Sequence, residues 1–172
     1  MGVPVYDCDT EAKRLMNESP SLRAALIEAI GKEVYTSEGY INRTYLASYM
    51  FGNPEHVNTV NKIVHPAVRA DFDEWTLRTK APIVAVETAI LYESGMDADV
   101  DDVLLVYAPF DIRLQRAMQR DSADEQKIRQ RINSQTPDAK LLNRATYVIT
   151  NDGNASLIEQ TQRLLHSIRD KD

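Results

Sequence analysis

The chain has 172 residues, 43% of them hydrophobic, which suits one compact domain with a sizeable core and room for a small lobe or lid, and argues against a second independent domain. Lys and Arg number 20 against 26 Asp and Glu, a formal charge of −6, so the overall field disfavours nucleic acid, and basic residues gather only between Arg113 and Arg131. The apolar runs fall far short of the roughly 20 residues of a membrane-spanning helix, and the lone Cys8 excludes an intrachain disulfide and fits a reducing compartment, by default the cytoplasm.

Val3-Pro4-Val5-Tyr6 is short and β-prone. After Asp7-Cys8-Asp9, charged Glu11, Lys13 and Arg14 alternate with Ala12, Leu15 and Met16 at helical spacing, which predicts a strand, an acidic turn and a helix. Ser19-Pro20 supplies an N-cap and a first-turn proline, and the stripe Leu22, Ala25, Leu26, Ala29 and Ile30 ends at Gly31. Asn42 caps a short helix through Met50, and Asn53-Pro54-Glu55 opens another that carries Val57, Val60, Ile63 and Val64 into His65-Pro66. Proline removes a helical donor and crowds the preceding turn, so this pair predicts a kink or a helix boundary, with a further helix to about Arg78.

Ile83 to Val86 and Val103 to Tyr107 are continuous apolar runs, as expected of parallel strands covered by helices on both faces, and Tyr147 to Ile149 is a third. Helices are expected over 111–120, 124–134 and 137–143, and Leu157, Thr161, Leu164, Leu165 and Ile168 line a closing amphipathic helix. The order predicts an α/β fold with a helical insertion.

Candidate chemistry collects where strands end, because ligands of open parallel sheets bind at the carboxyl ends of strands. Asp7 and Asp9, two apart in extended chain, point the same way; one could take a proton from an attacking hydroxyl, or Asp9 could merely cap the following helix. Glu87 follows Val86, and Glu93 follows the apolar Ala89 to Tyr92, again at a strand's end; either could sit near substrate or only satisfy turn amides. Arg113, Arg116 and Arg120 fall on one helical face, and guanidinium forks bind phosphate oxygens in pairs, although such a face is also compatible with solvated ion pairs. Lys127, Arg129 and Arg131 on the next helix favour an anion. His65 reads as a structural histidine, Cys8 beside acidic residues as a poor nucleophile, and Asn151-Asp152-Gly153 as a turn that could read a purine edge or simply link strand to helix.

In this order the segments resemble dephospho-coenzyme A kinase, from residue 1 along nearly the whole chain. Asp7-Cys8-Asp9 with Lys13 resembles the family's Asp-Ala-Asp followed by a basic residue, which makes Asp9 the implied base. Val60 to Pro66 is similar to a Leu-Asn-x-x-x-His-Pro segment of the acceptor lobe, and Ala89-Ile90-Leu91-Tyr92-Glu93 to Pro-Leu-Leu-x-Glu. Leu114, Arg116, Met118, Arg120 and Asp121 match a lid signature in full, followed by Arg131, Ile132 and Gln135. Residues 145–153 resemble a segment the family places near adenine, with Thr146 departing from it.

The resemblance implies a P-loop-kinase-like three-layer α/β/α fold with a parallel sheet, a helical acceptor lobe over about 31–80 and a lid over about 111–140. It implies transfer of the ATP γ-phosphate to the 3′-hydroxyl of dephospho-coenzyme A, with Mg²⁺. Asp9 and Arg116 become catalytic, Asp7, Lys13, His65, Glu87, Leu91, Tyr92 and Glu93 substrate-binding, and Arg113, Arg120, Arg131, Gln135 and Asn151 part of the ATP and lid side. The family also carries a strand and a G-x-x-x-x-G-K-[ST] loop, and none of the six glycines here stands in that motif. The expectation is therefore unpaired strand edges and little or no turnover by these residues alone, whether from a late gene start or a shortened chain. The alternatives are a non-catalytic module that binds coenzyme A or nucleotide, and a small P-loop kinase acting on a nucleoside or shikimate-like acceptor.

Overall fold

A computed structural model describes residues 1–121, 124–133 and 135–170. Contacts divide the chain into two compact units, Gly2–Ser94 and Gly95–Asp172, each with its own parallel strand pair and its own helices.

In the first unit β1 (Val5–Asp7) lies parallel to β2 (Ala85–Glu87), with Val5 opposite Ala85, Tyr6 opposite Val86 and Asp7 opposite Glu87. β1 runs directly into α1 (Cys8–Glu18). Ser19 ends that helix and starts α2 (Pro20–Ile30), its hydroxyl accepting from the Leu22 amide at 3.3 Å. Pro20 stands in the first turn, where its missing donor would be unpaired anyway, and Gly31 leaves the helix at φ 95°, a conformation a Cβ would strain. Asn42 caps α3 (Arg43–Met50) through the Tyr45 amide at 3.1 Å, and Asn53 caps α4 (Pro54–Arg78) through the Glu55 and His56 amides at 3.0 and 3.3 Å. The unit closes with α5 (Leu91–Ser94).

Of the kink or boundary expected at His65-Pro66, the boundary is not there: α4 is continuous for 25 residues with Pro66 inside it. An interior proline costs about 3 kcal/mol or more. Val60, Val64, Val68 and Phe72, however, are all buried along one stripe of α4, which packs on α1, α2 and α3. Burial of such side chains contributes about 1.5–3 kcal/mol each, so tertiary packing outweighs the proline and keeps the helix whole. Leu26 and Val34 are fully buried in the same core, joined by Leu15, Leu22, Ile30, Tyr35 and Ile41.

In the second unit β3 (Leu104–Tyr107) pairs in parallel with β4 (Tyr147–Thr150), Leu105 opposite Val148. Between them run α6 (Phe110–Asp121), α7 (Glu125–Asn133) and α8 (Asp138–Arg144), and α9 (Leu157–Arg169) follows β4. Ser134, the expected end of the second of these helices, lies outside the described residues. From α9 the Gln160 amide accepts from the Thr150 amide at 2.8 Å and donates to the Thr150 carbonyl at 2.9 Å, completing backbone groups at the end of β4.

Among the described residues neither strand pair has a third strand hydrogen-bonded to it. The unpaired edges expected from the sequence are present. Coverage on both faces is not: Leu104, Val106 and Val148 are 39%, 55% and 43% exposed, so this apolar strand pair is only partly packed. No helix among the described residues is long and apolar enough to cross a membrane.

Leu26→Ala should lower the stability of the chain by about 2–5 kcal/mol, because a fully buried leucine leaves a cavity that its neighbours only partly fill. Urea denaturation measures it; a loss under about 1 kcal/mol would show that the α2 core does not hold the unit together.

Candidate functional site

The chain changes from strand to helix within one peptide at the end of β1, and the side chains around that corner have distinct duties. Asp7 is the N-cap of α1: Oδ1 accepts from the Thr10 amide at 3.0 Å and Oδ2 from the Thr10 hydroxyl at 2.9 Å. Those bonds, the amide first, favour the charged carboxylate and hold Asp7 below its ordinary range. The cap is thus Asp7 and not Asp9. Asp9 stands in the first helical turn rather than in extended chain, so the strand spacing that would aim both carboxylates alike does not apply. Its side chain is 92% exposed and lies 3.6 Å from Lys13, one turn along α1.

Glu87 is exposed at the end of β2, directly across the ladder from Asp7. Cys8 is buried beside these carboxylates, and burial first, then the charges of Glu87, Asp7 and Asp9, pushes its thiol up to about 11. Such a thiol is not a nucleophile at neutral pH.

Behind the corner stands a trio that sequence reasoning missed. Tyr6 is 2% exposed and donates its hydroxyl to Asp71 Oδ2 at 2.7 Å, with the Val68 carbonyl at 3.3 Å. Arg14 brings Nη2 to both Asp71 oxygens, at 2.8 and 2.7 Å, and also reaches Glu11 and Glu18 along α1. The Tyr6 ring meets Phe72 and Trp75 edge-on, centroids 5.3 and 5.5 Å apart. These contacts tie β1, α1 and α4 together and so set the direction in which the Asp7–Asp9 corner faces. Burial pushes the Asp71 carboxyl up, but the bonds from Tyr6 and Arg14 outweigh it and hold the group below the usual carboxylate range. The available signal was an acidic residue set between Val68 and Phe72 on an apolar stripe.

The remaining first-unit candidates stand on other elements. His65 is half-buried in the middle of α4, where burial keeps its imidazole below its ordinary value and hence neutral at pH 7. Leu91, Tyr92 and Glu93 form α5, not the end of a strand. The Thr88 hydroxyl accepts from the Ile90 amide at 3.2 Å and the Ile90 carbonyl from the Ser94 amide at 2.9 Å, so the chain turns after β2 and the apolar run coils. Glu93 faces solvent, while Leu91 and Tyr92 are partly buried.

In the second unit the arginines of α6 do not converge on one point. Arg113 is drawn to Asp138 of α8 at 2.6 Å. Exposed Arg116 donates Nη1 to the Asn151 carbonyl at 2.8 Å, while the Asn151 amide donates to the Tyr107 carbonyl at 2.7 Å, extending the β3–β4 ladder. Arg120 forks onto Asp121 at 2.7 and 3.1 Å, and Arg131 of α7 lies 3.6 Å from the same carboxylate. Gln135 is exposed beyond α7. The structure therefore brings together Arg116 with Asn151 and Arg120 with Arg131, and gives Arg113 a helix-tethering role. One face shared at helical spacing becomes three destinations, because acceptors on α8, the 151–153 turn and Asp121 each capture one long side chain. Among the described residues no group of three or more His, Cys, Asp and Glu could hold a metal ion.

A family model described as dephospho-CoA kinase matches residues 1–156. Curated relatives include the dephospho-CoA kinase of Bacteroides fragilis, 42% identical over 166 residues that make up 96% of this chain and 80% of the relative. That of Porphyromonas gingivalis is 37% identical over 172 residues, 99% of this chain and 85% of the relative. Among solved structures, TT1252 from Thermus thermophilus superposes with a TM-score of 0.77 at 30% identity, covering 99% of this chain and 85% of the other. A dephospho-CoA kinase from Campylobacter jejuni gives 0.65 at 25% identity, covering 98% and 85%. The P-loop-kinase-like α/β fold class expected from the sequence is borne out.

Asp71→Asn should lower stability at pH 7 by about 1–3 kcal/mol, since it removes a partly buried charged acceptor shared by Tyr6 and Arg14. Asp71 is held below its unfolded value, so its contribution is complete well above pH 4 and is lost as pH falls through and below that value. Denaturation from pH 7 to 3 should show the gap between native chain and variant closing; a constant gap would contradict this account.

Proposed function

This chain belongs to the dephospho-CoA kinase family, and from that premise we infer what its residues do in the family's reaction, the last step of coenzyme A biosynthesis. Asp9 is the general base. The observation that carries this assignment is the division of labour at the corner: Asp7 is occupied as a cap, whereas Asp9 faces solvent beside only a long pair to Lys13. As the ribose 3′-oxygen bonds to the γ-phosphorus of ATP, its proton passes to the Asp9 carboxylate, and the bond to the β,γ-bridging oxygen breaks to release ADP.

Asp7 and Glu87 at the strand ends and Lys13 on α1 frame the acceptor. His65, neutral in α4, and Leu91, Tyr92 and Glu93 on α5 contribute to the acceptor side, with the helical lobe over about 31–80. Arg116, with Arg120 and Arg131, meets the phosphates from a lid over about 111–140, in which Arg113 tethers the helices and Gln135 follows. Asn151 lies on the adenine side. A guanidinium keeps its charge and offers a planar fork, which suits it to charge spread over phosphoryl oxygens. The partners are small molecules, and the setting is the cytoplasm.

Phosphoryl transfer of this class employs Mg²⁺ to neutralise the phosphates. The described residues gather no metal-holding group, so no step is assigned through the ion. The 172 residues also carry no G-x-x-x-x-G-K-[ST] sequence, whose amides and lysine would hold the ATP phosphates. This polypeptide alone therefore binds dephospho-CoA with little or no turnover.

Calorimetry with dephospho-CoA, beside an ADP-release assay with ATP and Mg²⁺, tests both parts. Saturable binding without turnover is expected. Turnover comparable to that of a relative would overturn the inactivity, and the absence of both binding heat and a cooperative melt would overturn the binding reading. When the chain is supplied with a strand and Gly-rich loop, Asp9→Asn should lower kcat by about 10²–10⁴-fold with dephospho-CoA affinity nearly unchanged. A variant with undiminished kcat would remove Asp9 as the base.

A further inference from the structure

Arg120 and Arg131 are organised around a carboxylate that the reaction above does not use. At the end of α6, Arg120 sets Nε 2.7 Å from Asp121 Oδ1 and Nη2 3.1 Å from Oδ2, a two-point fork. From α7, Arg131 brings Nη1 to 3.6 Å from that same Oδ2. The carboxylate is the sheltered member, 28% exposed against 70% for each arginine. Two planar cations from different helices thus meet one less exposed anion and keep much of their own surface toward solvent.

We propose that Asp121 is a positioning residue that gathers Arg120 and Arg131 while no phosphate is present and, by its own charge, sets how tightly they hold one. The inference rests on the reading of Arg120 and Arg131 as phosphate-side residues. Two guanidinium groups drawn to one carboxylate repel each other, and the carboxylate they share offsets that repulsion. An incoming polyphosphate then finds both cations near one place but meets a like charge behind them. Which effect dominates follows from exposure. Ion pairs with this much solvent access restrain their partners weakly, so neutralising Asp121 loosens the arginines little, while it raises by one unit the net positive charge that faces a polyphosphate. Asp121 therefore lowers affinity for polyphosphate and favours its release.

The probe is inorganic tripolyphosphate titrated calorimetrically into the 172-residue chain at low salt. Asp121→Asn should bind it about 3- to 10-fold more tightly than the native chain, the scale of one like-charge repulsion across a partly hydrated surface. Asp121→Ser should do the same, and Asp121→Glu should stay near the native affinity. A merely structural role for Asp121 predicts the opposite, weaker binding in both neutral variants, and that result or equal affinity in both overturns the proposal. Arg120→Ala separates the two layers: if it leaves affinity unchanged, the phosphate-side reading fails; if it weakens binding while the neutral variants do not tighten it, only the role of Asp121 fails. Thermal melts of each variant identify any that fail to fold, and the alternative neutral substitution then decides.

Discussion

Two bonds from Thr10 to the Asp7 carboxylate determine which of Asp7 and Asp9 is held as a helix cap and which faces solvent. The first turn of a helix has amide donors that need acceptors, and a carboxylate just before it is an effective one. Once Asp7 meets that need, its neighbour two positions on is carried into the helix and faces water. Reversed duties would lock Asp9 against its own backbone and away from the proton transfer proposed for it. The assignment of Asp9 therefore depends on a capping preference as much as on any catalytic pattern.

That corner is only as well directed as the elements behind it. Tyr6 anchors β1 from below, Arg14 anchors α1 from the side, and both meet Asp71 on α4. α4 can serve as a rigid backing because its valine and phenylalanine stripe keeps it continuous through Pro66. The arginines of α6 follow the same logic in the other unit. Each long side chain is placed by a specific acceptor: Asp138, the Asn151 carbonyl or Asp121.

Much of this was legible in the residues. The caps at Ser19, Asn42 and Asn53 followed from side chains that satisfy helix amides, and β1, β3 and β4 from apolar runs bounded by turns. What failed to show was decided by contacts distant in sequence. Pro66 reads locally as a kink or a break, and burial of the stripe around it keeps the helix continuous. Ala89 to Tyr92 reads as a strand's end because four apolar residues have no diagnostic period, and the Thr88 turn settled it. Helical spacing put three arginines on one face but could not say where side chains of that length would reach. Asp71 stayed hidden because its partners lie 57 and 65 residues away.

The direct test of the division between Asp7 and Asp9 is their side-chain carboxyl carbon resonances in the 172-residue chain, followed through a titration with dephospho-CoA. The Asp9 resonance is expected to move to saturation with the ligand, while Asp7 keeps its Thr10 bonds and continues to titrate below the ordinary carboxylate range. A ligand-induced shift at Asp7 with Asp9 unmoved would contradict that division.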